Sequence, residues 1–289
     1  MEETALALRQ QTALAPEGSY RAPRPGRSWR SGLRTMVLLG GSVGIGSGVA
    51  LGWFGIGAAA FMAVGLATAQ VVAQTLHQNR LGQDVMGGIA RGDLERALLA
   101  AEKALEESPS GAMRTLAAAN LASVLMQGDR VRDGAAVLDR WPPGLLHMPL
   151  STVLWLNNRA FASLVLGEEP RFADELLEDA EKRLERAGAR GFGGAHNFRK
   201  IASAVAGTRA MQRLAAGEAK EALKALERAR DLDEATGATF RLAERELCRS
   251  EALLRLGRKD EAVLAVTALK DEELTERQRK KLAEIEARL

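Results

Sequence analysis

Between Thr35 and Asn79 run 45 residues without one Lys, Arg, Asp or Glu. A water-soluble domain has no place for so long an uncharged stretch, so the chain is committed to lipid before anything else is read. Its strongly apolar part, Met36 to Ala73, would extend ~57 Å as one straight helix against a hydrocarbon core of roughly 30 Å, close to two crossings. Trp53 and Phe54, followed by Gly55 and Gly57, stand at its middle, where a hairpin would set interfacial aromatics and a turn at the far surface. Residues 35–79 are therefore expected to form a transmembrane helical hairpin, with spans at 35–53 and 57–76. The alternative is a single span ending near Ile56, which carries the rest of the chain to the other side of the membrane.

Charge orients the segment. Six Arg against three Glu precede residue 35 and account for the whole formal net charge of +3; from residue 80 onward 34 basic and 34 acidic residues cancel. Arg21, Arg24, Arg27, Arg30 and Arg34 crowd the entry to the apolar run, with no acid after Glu17, as the positive-inside rule asks of a cytoplasmic flank. Pro16, Pro23, Pro25, Gly18 and Gly26 interrupt any helical pattern, so residues 1–34 are expected to be a disordered basic arm. Juxtamembrane arginines serve topology, and nucleic acid is not expected as a partner. A cleaved leader has its charges at the start and an apolar region of about 7–15 residues; the long arm and longer run argue against cleavage. Cys248, the single cysteine, cannot form an internal disulfide, so nothing demands an oxidising compartment.

Inside the uncharged run Gly40, Gly44, Gly48 and Gly52 recur at every fourth position, and Ala59, Ala63 and Ala67 repeat the spacing. Helices in lipid associate by close backbone approach, and a stripe of small residues opens the groove for it. The two stripes either lock the hairpin or meet another copy or another membrane protein, making an oligomer or a pore. Gly40 to Gly44 also spells G-x-S-x-G, but inside a membrane helix rather than on a strand-to-helix elbow, and without a His or Asp to serve it.

After Arg80 the composition turns to Ala, Leu, Glu, Arg and Lys with helical periodicity and no sustained alternation. Gly92, Gly128, Gly167, Gly217 and Gly257 punctuate apolar segments; Ile89, Leu125, Leu164, Leu214 and Leu254 precede them by three, and Ala97, Ala222 and Ala262 follow three of them by five. These offsets predict helix, tight turn, then a second helix with a small residue at the crossing. Asp93 is expected to cap one helix, Ser151 or Thr152 another, and Pro170 to open a third. The glycine-rich insertion from Gly188 to Asn197 lacks the strand and the Lys-Ser or Lys-Thr pair of a phosphate loop and reads as a connector. Leu274 to Arg288, rich in charge, reads as a terminal capping helix.

The stretches Gly92-Asp93-Leu94-Glu95-Arg96-Ala97 with Pro109, Gly128-Asp129 with Pro142, and Gly257-Arg258-Lys259-Asp260-Glu261-Ala262 resemble the tetratricopeptide repeat (TPR) family over roughly residues 80–270. The glycine spacings of 36, 39, 50 and 40 depart from the family's repeat of about 34 residues. Asp133 and Phe172 stand where alanine is expected. The resemblance implies an α-solenoid whose first helices line a concave, peptide-binding surface. Candidates for that surface are Asn120, Asn157, Asn158, Arg159, Arg209 and Arg213, which can hydrogen-bond a peptide backbone or an acidic end or form a solvated face.

Groups able to do chemistry are sparse. His77, His147 and His196 have no metal-ligand spacing with one another or with Cys248, and Cys248 between Leu247 and Leu253 reads as buried. Trp141 and Trp155 frame Leu145 to Leu156, either a core joint or an exposed partner site. No enzyme, cofactor or metal is expected. The sequence therefore predicts an all-α chain, with the arm at 1–34, the hairpin at 35–79 and TPR-like repeats at 80–289. It is expected to be a scaffold for protein partners on the cytoplasmic face of a bacterial-type inner membrane, with membrane lipid and, through the stripe, a homo-oligomer as further contacts. The alternatives are a single-pass chain with a periplasmic repeat domain, and a membrane-active, pore-like oligomer regulated by the repeats.

Overall fold

One turn, used five times, organises the chain. The computed structural model describes residues 17–24, 73, 76–108, 110–144, 149–189, 194–238, 241–270, 272 and 274–289. The uncharged run up to residue 72, with Gly40, Gly44, Gly48, Gly52, Ala59, Ala63 and Ala67, lies outside them, as do Leu145 to Met148. Among the described residues there are eleven helices and no strand, and no helix is long and apolar enough to cross a membrane. The chain is all-α, as its periodicity predicts.

The helices come in pairs: α1 (76–90) with α2 (Leu94–Glu106), α3 (Gly111–Gln127) with α4 (Val131–Arg140), and α5 (Pro149–Leu166) with α6 (Pro170–Ala189). Then follow α7 (Ala195–Ala215) with α8 (Ala219–Glu234), α9 (Leu242–Arg255) with α10 (Lys259–Thr267), and a closing helix α11 (Glu276–Glu286). Each pair turns through a left-handed residue: Gly92, Asp129, Gly167, Gly217 and Gly257. In each, that residue's N–H donates three residues back and the next N–H five residues back, as in Gly92 to Ile89 O and Asp93 to Gly88 O at 3.1 and 2.9 Å. This satisfies the last carbonyls of the first helix.

The second turn corrects the sequence reading. Gly128 has φ −85° and ends α3, while Asp129 takes the left-handed position at φ 57°. Measured from Asp129, the small crossing residue is Gly134, where an added Cβ would stand 3.0 Å from Met126. In the third pair an extra residue precedes Pro170, and the crossing falls on Ala173, fully buried. So in all five pairs the fourth residue of the second helix is small: Ala97, Gly134, Ala173, Ala222 and Ala262. Asp133 and Phe172 are not crossing residues.

Caps follow local chemistry. The Asp93 carboxylate accepts from Arg96 N at 3.0 Å and the Ser110 hydroxyl from Met113 N at 3.3 Å, while Thr275 and Gln278 form a reciprocal capping box on α11. Pro170 is the first residue of α6. The helix before Gly167 starts at Pro149, so Ser151 and Thr152 are buried inside it rather than capping it. Both ends of the connector expected at 188–197 are helical, since α6 runs to Ala189 and α7 begins at Ala195; residues 190–193 lie outside the described residues.

Apolar packing runs through the stack in successive clusters. Leu81, Val85 and Ile89 of α1 join Ala97, Ala101 and Leu105 of α2, and Leu121 and Leu125 of α3. A second cluster spans α3 to α7 and contains Trp155, whose Nε1 donates to Leu138 O at 3.1 Å; Leu150 and Leu154 pack against it. The segment after Trp141 thus joins two pairs where it is described. A third cluster, with Ala210, Ala222 and Leu226, includes Cys248. The fourth seats Ile285 of α11 against Leu247, Val266 and Leu269.

Of the arm, residues 17–24 lie against α2 and α4. Tyr20 and Ala22 pack on the first cluster. The Tyr20 hydroxyl donates to Glu102 Oε1 at 2.7 Å, and the Arg130 guanidinium sits 5.3 Å above its ring. Asp133 Oδ1 accepts from the N–H groups of Gly18 and Tyr20 at 3.0 and 3.3 Å. Glu17 Oε1 accepts from Arg132 N at 2.9 Å, which caps an α4 that has no side-chain cap of its own.

Candidate functional site: the concave cavity beneath α11

The first helices pack on one another, α3 on α5, α5 on α7 and α7 on α9, so one face of each contributes to a common surface. Residues from α1, α3, α5, α7, α9 and α11 enclose a cavity of about 130 Å³ there. That is room for about four waters, well under the roughly 300 Å³ at which small-molecule pockets begin. As α11 closes it, the cavity admits solvent or one side chain.

Of the residues singled out in sequence, Asn120, Asn157 and Asn158 line this cavity. Asn158 Nδ2 donates to Ala119 O at 2.9 Å and Ser123 Oγ at 2.8 Å, and its Oδ1 accepts from Asn157 Nδ2 at 3.2 Å. Asn157 is 4% exposed, and its Oδ1 is buried with no hydrogen-bond partner. The three arginines lie elsewhere. Arg159 pairs with Asp139 and Glu168 at 2.8 and 2.9 Å and covers the Phe172 ring at 5.0 Å. Arg209 bridges α7 to Asp174 and Glu181 of α6, and Arg213 pairs with Glu218 at 2.6 Å. Arg159 and Arg213 hold turns together, and Arg209 ties neighbouring pairs.

Residues that the sequence reading passed over dominate the site. Arg277, second in α11, lays its guanidinium on Glu244 of α9, Nη1 to Oε1 at 3.1 Å and Nη2 to Oε2 at 2.9 Å, and stands 5.6 Å above the Phe161 ring. Gln278 Nε2 donates to Glu244 Oε2 at 3.2 Å. From the α3–α4 turn, Asp129 Oδ1 accepts the Thr275 hydroxyl and Oδ2 the Arg277 N–H, both at 2.9 Å. Burial alone would raise the Glu244 carboxyl, but the hydrogen bonds and charge of Arg277 hold it below the usual carboxylate value. The one sequence signal was the Thr-x-x-Gln of a capping box at Thr275 and Gln278.

Below the cavity, Asp233 is 2% exposed. It accepts from the Ser203 hydroxyl, from Arg241 Nη1 at 3.4 Å and from Arg245 Nε at 3.3 Å. Arg245 Nη2 also donates to Ser203 O at 3.0 Å. The guanidinium passes so close to α7 that a Cβ on Gly207 would stand 1.3 Å from its Nη1. Burial, and then the neighbouring Arg245, pull Arg241 down to about 10, still charged at neutral pH. The cluster locks α7, α8 and α9 and sets the floor under Glu244.

Other chemistry-bearing groups serve packing. His77 Nε2 lies 2.5 Å from Glu107 Oε2, tying α1 to the end of α2. Burial pushes the Cys248 thiol up to about 12, so it stays protonated among apolar neighbours. Among the described residues no three His, Cys, Asp or Glu side chains are grouped to hold a metal ion. Comparison of the chain with protein-family models, with curated proteins and with solved structures finds no match.

Proposed function

We propose that the chain is a membrane-tethered α-solenoid of TPR-like helix pairs, held by a transmembrane hairpin with both termini in the cytoplasm, which gathers protein partners on its concave face. The shared turn and the small residue at the crossing of all five pairs support the repeat reading. The uncharged run supports the tether, and one observation supports its doubling back: Tyr20 and Ala22, before the run, pack on the same hydrophobic cluster as Leu81, Val85 and Ile89 after it. A run whose two flanks belong to one core must cross lipid an even number of times. Two crossings need about 40 residues, and 41 lie between Arg34 and the start of α1 at Leu76. A single crossing would tear Tyr20 from Glu102 and part the cluster.

The role read for the repeats is binding, without catalysis. Their first helices present asparagines, carboxylates and guanidinium groups on one surface, the inventory for hydrogen-bonding a peptide rather than for moving protons. The test is a cross-link. In membranes carrying the full chain on a Cys248→Ser background, Tyr20→Cys and Glu102→Cys should be joined within one chain by a short bis-maleimide added after the inner membrane is opened. Tags on both termini should resist protease in intact spheroplasts. A C-terminal tag digested in intact spheroplasts, with the N-terminal tag protected, refutes the hairpin.

A further inference from the structure

We infer that the concave face is a docking groove for a partner helix bearing an arginine in its first turn, and that α11 is the occupant the chain supplies for itself. The inference rests on reading this face as the partner surface, and adds what it recognises. The groove offers the Glu244 carboxylate end-on, the Asp129 carboxylate beside it and the Phe161 ring beneath. A planar guanidinium satisfies all three at once; an ammonium cannot match both Glu244 oxygens and stack. Asp129 adds a backbone requirement, since its Oδ2 takes the N–H of the arginine itself and its Oδ1 the hydroxyl of the preceding cap. The recognised element is therefore a helix start, Thr or Ser followed two residues later by Arg.

The turn geometry supports a role for Asp129. The other four turns have glycine at the left-handed position, where a side chain carries a conformational cost. An aspartate persists there while its carboxylate reaches 146 residues along the chain to Thr275. The fit is also incomplete. Beside Arg277 the cavity of about 130 Å³ remains, and Asn157, which lines it, has a buried Oδ1 with no donor. A partner that brings the same arginine and one further donor makes a bond that α11 does not, and so can displace it.

The probe is a fluorescent synthetic peptide with the sequence of residues 272–289, titrated against the full chain in detergent micelles. In the unaltered chain the tethered α11 competes at high local concentration. Arg277→Ala in the chain should tighten peptide binding about tenfold or more, and adding Glu244→Gln should abolish the gain. A peptide with alanine at the arginine should not bind. Equal peptide affinity of the folded Arg277→Ala chain and the unaltered chain overturns the inference, as does a gain that survives Glu244→Gln. Should Arg277→Ala fail to fold, Arg277→Lys serves: a smaller tightening is expected, and unchanged affinity overturns the inference. Peptide anisotropy does not depend on the tether, and the Tyr20–Glu102 cross-link does not depend on α11, so either reading can fail alone.

Discussion

Asp133→Ala sets two readings of the second pair against each other. Were Asp133 only a blemish in a repeat that prefers alanine nearby, the substitution would favour α4 by about 0.5 kcal/mol of helix propensity. In the structure, however, the carboxylate fastens the arm, being 3% exposed and accepting the N–H groups of Gly18 and Tyr20 as well as Arg130 Nε. Hydrogen bonds to a charged acceptor contribute roughly 1.5–3 kcal/mol each, less where the donor is partly solvated, and two part-buried N–H groups would lose their partner together. After the propensity gain, the docking of residues 17–24 should weaken by about 2–4 kcal/mol, a ~30-fold to ~1,000-fold rise in the released population. The arm can leave without unfolding the helices, so the main effect is local. Hydrogen exchange should accelerate over residues 17–24, and trypsin should cut faster after Arg21. Asp139→Ala, which alters an exposed pair on the same helix, should change neither. Unaltered exchange in folded Asp133→Ala, or a rise in melting temperature as its only effect, refutes the argument.

Gly207→Ala forces the Arg245 guanidinium off Asp233 and Ser203 O. Leaving a buried carboxylate short of its cation should cost about 3 kcal/mol in urea unfolding; a loss under ~1 kcal/mol would show that the cluster relaxes freely. Glu251, whose carboxyl takes Arg255, Arg288 and Lys281, is pushed up by burial, but these cations bring it down to about 2. A depressed carboxyl contributes stability above its unfolded value of about 4.5 that is lost as pH falls toward 2; with its three cations near two-fifths exposed, the contribution is about 2 kcal/mol. Glu251→Gln should lower stability at pH 7 and flatten the acid limb, and an acid limb unchanged in that variant would refute the assignment.

The helical class, the paired helices and the turns at Gly92, Gly167, Gly217 and Gly257 were legible because each depends on residues within one turn of one another: a left-handed glycine, an aliphatic three before it, a small residue at the crossing. The same local logic found Asn157 and Asn158, which face the cavity by helical phase alone. It missed Arg277, Glu244 and Asp129, since no periodicity within a helix reports that the last helix comes to lie on the second turn. It also assigned Arg209 to the binding face, because phase cannot tell the cavity side from the seam with α6.

Where the pattern broke, the break was informative. Asp129 is the position at which the second pair departs from its neighbours, while Asp133, third in its helix, stands where Arg96, Glu221 and Glu261 stand in three of the others. Each aspartate accepts from a segment outside the repeat: α11 at Asp129, the arm at Asp133. A side chain that only had to fit the repeat would have been glycine at the first, as in the other four turns. The second pair is thus where both ends of the chain are fastened, one against the cavity and one against the opposite helices. A departure from a repeat of this kind is best read as half of a long-range hydrogen bond, with the other half to be sought in the non-repeating ends.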